Sequence, residues 1–410
     1  MLVFVLMAST QVQAISIKAT KNIVDGINYQ LNPKKEQAIV IKNSEPYVGD
    51  IVIPEKITVD SVTLYVEEIS SGAFSDCTGM TSIQIAKTVQ KIGSSAFKNC
   101  TSLTEITLPE KITEIASDLF EGCTSLTTIN IPERVNKIAD GVFENCKSLQ
   151  HIDLPKMLKK IPDNSFKGCS SLLSLYIPDG VTELGNSVFK DCASLKEIEI
   201  PLGVLKMGNS LFFGCVTLEN VKIPIGITKI EQSTFENCSS LESVTIPNSV
   251  QRIDNDAFKG CSNLDSLLLP NSLKSIGQGI FEDCSSLVKS SIPVAISKIP
   301  DDMFKNCTSL ESIQIPAGIK EIGNDAFRGC AHLSYIELPT GLKEISSNAF
   351  DNCVNLKTVK ALGALPPKIS SNTFDKSTTL EGTLIVRKSS VKNYELDKQW
   401  CKFLNVSVFE

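Results

Sequence analysis

Cysteine stands at positions 77, 100, 123, 146, 169, 192, 215, 238, 261, 284, 307, 330 and 353, an unbroken spacing of 23 residues, with Cys401 alone outside it. A fixed period of this length means one supersecondary unit stacked on copies of itself, so the 410 residues are read as one repeated part and not as two or three unrelated domains. Phe precedes each of these cysteines by three residues, from Phe74 to Phe350. Leu follows by three, from Leu103 to Leu356, with Met80 standing in once. These apolar columns are the expected core.

After the Leu comes an alternating stretch that ends in Pro, such as Leu103 to Pro109 or Leu195 to Pro201. Period-two apolar residues mark a half-buried strand, and Pro, which has no N–H for the ladder, stands where pairing ends. A further apolar pair, Ile112 and Ile115 in one coil, takes the chain across the far side before the Phe segment brings it back. The residue before each of the thirteen cysteines is Gly, Asn or Asp, from Asp76 and Asn99 to Gly329 and Asn352. Those types enter the left-handed region at low cost, which predicts a left-handed stop to a short helical turn carrying the Phe.

Repeats of this form resemble the BspA-like leucine-rich repeats of bacterial surface proteins, over about Glu68 to Ser377. The flanks are similar to those of such proteins from the Bacteroides group: Asp25 to Leu31 with Gly49 to Ile57 as a leading cap, Gly382 to Phe403 as a trailing cap. The fold expected is therefore an α/β repeat solenoid, a right-handed leucine-rich-repeat coil with a parallel β-sheet on one face, short helical turns and β-rich caps. The corresponding boundaries are residues 1–14 for a secretory leader, 15–67 for the leading cap, 68–377 for the solenoid and 378–410 for the trailing cap. The last repeat is one residue longer, with Phe374 and Ser377 one place late and its Pro displaced into Ala364 to Ile369, so it belongs with the cap. Ser290 occupies an inward column elsewhere held by Ile, Val or Leu, and a weak or bulged strand is expected there.

The opening MLVFVLMASTQVQA has the apolar run and the small-residue end, Val12 and Ala14, of a secretory leader, with a mature chain from Ile15. It lacks a positive n-region, which leaves a start further upstream or an ordinary buried strand as the other readings. No other stretch approaches the ~20 apolar residues of a membrane span. A net charge of -6 removes the basic footprint that nucleic acid demands.

Catalytic constellations are absent from the sequence. His151 and His332 are the only histidines and lie 181 residues apart; Gly277-Gln278-Gly279 lacks the third Gly of a dinucleotide turn. No C-x-x-C pair suggests zinc, and the cysteine column reads as buried free thiols, since Cys behaves as a small hydrophobe among Phe and Leu. No enzyme activity, metal or cofactor is expected. Asn99, Asn237 and Asn306 begin glycosylation patterns, but the left-handed stop already explains each Asn.

About twelve stacked strands ~4.8 Å apart give a sheet of roughly 60 Å, long enough for a macromolecule. Its outward columns vary from coil to coil: His151, Asp153, Ser174, Tyr176, Glu197, Glu199, Asn220, Lys222, Lys289, Ser291, Tyr335 and Glu337. Glu197 and Glu199 sit at i, i+2 on one strand face and read as solvated surface before they read as an acid/base pair. Of these, His151, Asp153, Tyr176, Glu197, Glu199, Asn220, Lys222, Lys289, Tyr335 and Glu337 form the candidate partner-binding face. Aromatics are sparse there, which favours a protein partner over a sugar-stacking platform. The resemblance implies a secreted or cell-surface adhesion module that binds host matrix proteins or other bacteria. A purely structural envelope protein and a glycan-capturing protein are the alternatives.

Overall fold

A computed structural model describes residues 21–410. The leader assigned to residues 1–14 and the first residues of the leading cap lie outside the described residues. From Gly49–Ile53, which pairs in parallel with Met80–Ile85, successive coils lay their segments side by side, most of them as short paired strands, while residues 151–154, 174–177 and 312–315 form no strand. Glu105–Thr107 pairs with Thr128–Asn130, Asn220–Lys222 with Ser243–Thr245, and Ser266–Leu267 with Lys289–Ser290. The register advances by one repeat each time, Ile106 opposite Ile129 and Val221 opposite Val244. Alternation decides what is inside: Ile106 is buried, while Glu105 and Thr107 on either side of it are exposed. Met80 is as buried as the leucines that it replaces.

Ser290 does not bulge its strand. It stays in register opposite Leu267 and its hydroxyl donates to the Leu267 carbonyl at 2.9 Å, so the inward polar group is satisfied by the preceding coil.

The far side is more regular than the sequence suggests. The stretch read as a simple crossing forms a second parallel ladder of two-residue strands, from Lys91–Ile92 and Glu114–Ile115 through Arg252–Ile253 to Glu344–Ile345. The second residue of each faces the core, and the first carries a charge into solvent in nearly every coil. Charges of opposite sign meet between coils: Lys91 with Glu68 at 2.7 Å, and Lys160 and Lys206 both with Glu183, at 3.1 and 3.0 Å. Exposed pairs of this kind contribute about 0–1 kcal/mol each, so they hold the register more than they stabilise the fold.

The expected helical turn at the Phe is a different object. Phe97 N–H donates to Leu119 C=O of the next coil at 3.0 Å and Asn99 N–H to Glu121 C=O at 2.7 Å, so this edge bonds from coil to coil. All thirteen residues preceding the cysteines have positive φ, as the Gly, Asn and Asp column requires. A second left-handed column lies four residues earlier, at Gly72, Ser95, Asp118 and every 23 residues on to Asn348. The two stops together turn a would-be helix into a flat, ladder-bonded edge.

Inside this edge the rings of Phe74 to Phe374 form one stack, with centroids 5.1 to 5.9 Å apart. Each thiol from Cys100 onward donates to the Phe carbonyl of the previous coil, for example Cys215 Sγ to Phe189 O at 3.0 Å. That carbonyl already accepts the N–H of its own coil's cysteine, Cys192, at 3.1 Å, so both of its lone pairs are used. The thirteen repeat cysteines are free and buried, and Cys401 is free and exposed.

Aromatic groups close both ends of the stack. Tyr47 packs on Phe74 at 4.9 Å and its N–H donates to the Cys77 sulfur at 3.2 Å. At the other end Phe374 meets Trp400 and Phe403 edge-on, and Trp400 Nε1 donates to Pro367 O at 2.8 Å. The leading sheet is completed by Lys21–Val24, Ile27–Asn32, Gln37–Val40, Lys56–Val59 and Val62–Ile69. Among the described residues the α-helices are Lys376–Glu381 and Val391–Glu395, both in the trailing region. The last repeat is longer as read from the sequence, with Phe350 bridged to Phe374 and Glu344 to Lys368.

Candidate partner-binding surface

The strand face is built by the outward positions of the alternating segments, whose side chains are fixed in direction by the buried residues between them. Four successive coils in the middle of the molecule bring Ser174, Tyr176, Glu197, Glu199, Asn220, Lys222, Ser243 and Thr245 around one shallow depression, bordered by Leu202 and Pro224. Five of the ten sequence-predicted residues, Tyr176, Glu197, Glu199, Asn220 and Lys222, therefore meet in one place. Tyr176 is 63% exposed. Asn220 Oδ1 accepts from Ser243 Oγ at 2.5 Å, which fixes the amide between two coils. Lys196 and Glu219 pair at 3.2 Å beside it.

The other five predicted residues are not brought into this depression. Asp153 lines a separate, smaller one with Glu110, Asn130 and Glu133, and His151 stands exposed on the same strand face. Lys289 is exposed three coils beyond Lys222. Tyr335 and Glu337 are tied to the trailing end: Tyr335 OH and Lys360 Nζ both donate to Glu337 Oε2, at 3.0 and 2.9 Å. The Lys360 ammonium holds the Glu337 carboxyl below its usual range, and partial burial followed by the Glu337 charge pushes the Tyr335 hydroxyl up. The ten residues read onto one face are thus spread by the stack over nine coils.

Sequence reasoning missed the apolar border. Leu202 and Ile225, 67% and 70% exposed, directly follow the strand-closing Pro of adjacent coils. The signal was present: the same position is Glu110, Glu133, Lys156 and Asp179 in the preceding coils, so two large aliphatic residues in succession break the column.

Nothing else in the arrangement gathers reactive groups. Among the described residues no three His, Cys, Asp or Glu side chains converge as ligands for a metal ion. His332 is occupied locally, its Nδ1 2.6 Å from Thr308 O, and lies about 38 Å along the stack from His151 at ~4.8 Å per coil. Among the described residues no helix is long and apolar enough to cross a membrane.

The profile of the BspA type leucine rich repeat region (6 copies) matches residues 67–196, 182–310 and 297–397. A leucine-rich-repeat protein from Bacteroides ovatus has the same fold at a TM-score of 0.71 and 24% identity, with 95% of this chain and 100% of that one covered. A leucine-rich cell surface protein from Faecalibacterium prausnitzii is 30% identical at a TM-score of 0.61, over 84% of this chain and 95% of that one. A leucine-rich-repeat protein from Eubacterium ventriosum aligns at a TM-score of 0.52 and 21% identity, over 87% and 94%. A comparison with curated protein sequences finds no match. With the 23-residue period, the stacked Phe and Cys columns and this profile over most of its length, the chain belongs to the BspA-type leucine-rich-repeat family.

Proposed function

We propose that this chain is a secreted or surface-displayed protein-binding module, without catalytic activity, that presents its strand face to proteins of a host matrix or of other bacteria. The observation that carries this reading is the depression around Tyr176, Glu197, Glu199, Asn220 and Lys222: side chains of unlike chemistry, free to vary, held on a rigid sheet by a core that does not vary. The similarity to the cell surface protein of Faecalibacterium prausnitzii supports the location. The boundaries that go with this reading are a leading cap to residue 67, a binding solenoid over 68–377 and a trailing cap from 378.

The test is saturable binding of the purified chain to immobilised host matrix proteins and to intact bacterial cells. Replacing Tyr176, Glu197, Glu199 and Lys222 together should weaken that binding by roughly several kcal/mol, because interface energy concentrates in few residues. Thermal stability should change by no more than about 0.5 kcal/mol per site, since these side chains point away from the core. Unaltered affinity in the quadruple variant, with affinity lost when Asp25 to Val66 is deleted from a chain that still folds, would move the site to the leading cap. Absence of saturable binding to any surface would favour a purely structural envelope role.

A second reading has one observation behind it. The depression over the leading coils is lined by Ser82, Gln84, Glu105, Thr107, Thr128 and Asn130, a hydroxyl- and amide-rich set suited to a glycan. A binding screen against polysaccharides decides it, and a hit abolished by Thr107→Val and Asn130→Leu would establish it.

A further inference from the structure

Between the coils of Leu172 and Leu264 the strand face leaves four of its five carboxylates without an ion pair. On the Phe edge and the far side, carboxylates are matched between coils: Glu121 by Lys98 at 2.7 Å, Glu144 by Lys167 at 2.8 Å, and Glu282 by both Lys259 and Lys305 at 2.7 and 2.8 Å. Over this stretch of the strand face the one ion pair is Lys196 with Glu219. The three outward columns hold five carboxylates, at 197, 199, 219, 242 and 265, against the ammonium groups of Lys196 and Lys222. Glu197 and Glu199 face the depression without a cation within ion-pair distance.

Apolar side chains stand uncovered in the same place. Tyr176 and Leu202 border the depression, and Leu173 and Leu268 are exposed at 45% and 68% on the strands to either side. The four coils that line the depression span about 14 Å along the stack, which is the reach of four to five residues of extended chain. Anionic polymers and anionic lipid surfaces are repelled by such a face. A neutral glycan leaves the carboxylates without a partner.

We infer that this depression receives an extended cationic segment of a partner polypeptide, with Lys or Arg side chains against Glu197 and Glu199 and one large aliphatic or aromatic side chain against Tyr176 and Leu202. The inference rests on the strand-face reading above and adds the chemistry of the occupant. The carboxylates supply orientation and rate of encounter, and the apolar contact supplies residence.

Three fluorescein-labelled ten-residue peptides test it by anisotropy against the full chain: one alternating Lys and Leu, one alternating Glu and Leu, one alternating Lys and Gly. The Lys/Leu peptide should bind saturably at one site, and each of the other two should bind at least tenfold more weakly. E197Q with E199Q should weaken the Lys/Leu peptide at least tenfold and flatten its salt dependence. Y176A with L202A should weaken it as much while leaving the salt dependence in place. A control with E114Q and E344Q on the far side should bind like the parent chain. Equal binding of the Glu/Leu peptide, or a loss in the far-side control matching that in E197Q/E199Q, overturns the inference. If the Lys/Leu peptide fails to bind while the quadruple strand-face variant still loses matrix or cell binding, the cationic occupant is wrong and the strand-face reading stands.

Discussion

At the scale of single residues, the cysteine is the most informative position. A thiol fits a site where a small apolar group must also hand one weak hydrogen bond to a carbonyl of the previous coil, as Cys238 Sγ does to Phe212 O at 3.1 Å. Burial pushes the Cys169 and Cys353 thiols up to about 12, and pushes Cys146, Cys192, Cys215 and Cys261 up as well. An unfolded thiol ionises near pH 8.5. The folded chain therefore keeps protons that the unfolded chain loses, and the stability tied to them is complete below that pH and declines as pH rises toward 12. Each such thiol takes away more stability with every further pH unit across that window. Circular dichroism should show a stable fold to about pH 8 and cooperative alkaline unfolding well before pH 12. Alkylation of native protein at pH 8 should label Cys401 only, and all fourteen cysteines after denaturation. Labelling of ladder thiols in the native state, or cross-coil disulfides in a peptide map, would contradict the ladder.

At the scale of the element, what could be read in the sequence followed from what one coil shows by itself. The strand, its closing Pro, the Phe and Leu columns and the left-handed stop before Cys rest on local preferences repeated from coil to coil, eleven times for the Pro and thirteen for the Phe and the stop. The far-side ladder and the second left-handed column were hidden, because two-residue strands such as Glu183–Leu184 carry no period of their own and exist only through pairing with the coils on either side. The second column was open to detection as an unbroken series of Gly, Ser, Asp and Asn at 72, 95, 118 and onward. The candidate surface was legible in the same partial way: alternation named the outward residues, but only the stack shows that Tyr176 to Lys222 meet while Tyr335 and Glu337 belong to a network with Lys360. Ser290 tests the account at this level. Its hydroxyl occupies a place where Ile, Val or Leu packs in other coils, so Ser290→Val should raise stability by about 1 kcal/mol through added apolar burial. A lower melting temperature would show that the Ser290 to Leu267 hydrogen bond matters more than the missing methyl groups.

At the scale of the whole molecule, stability is a sum of coils and of the contacts between neighbours, and the ends are the exposed terms. Removing Ser239 to Cys261 re-registers the stack, with Cys238 followed by Ser262. Ending the chain at Cys353 uncovers Phe350, which stacks on Phe374, and inward residues such as Ile336 that the next coil buries, each side chain worth roughly 1.5 to 3 kcal/mol. Size-exclusion chromatography should find the internal deletion soluble and monomeric and the shortened chain aggregated; the opposite order would refute a stack stabilised by neighbours and sealed by caps. The central claim, that the strand face is where a partner docks, is tested most directly by blocking one face at a time. The ladder thiols are buried, so in a Cys401→Ser background a single new cysteine can carry a polyethylene glycol chain at Asn220 on the strand face, Gln251 on the far side or Lys190 on the Phe edge. Saturable binding to immobilised host matrix protein or to bacterial cells should be lost when residue 220 is blocked and retained when 251 or 190 is blocked. Binding retained with the strand face blocked and lost from either other face would contradict the account.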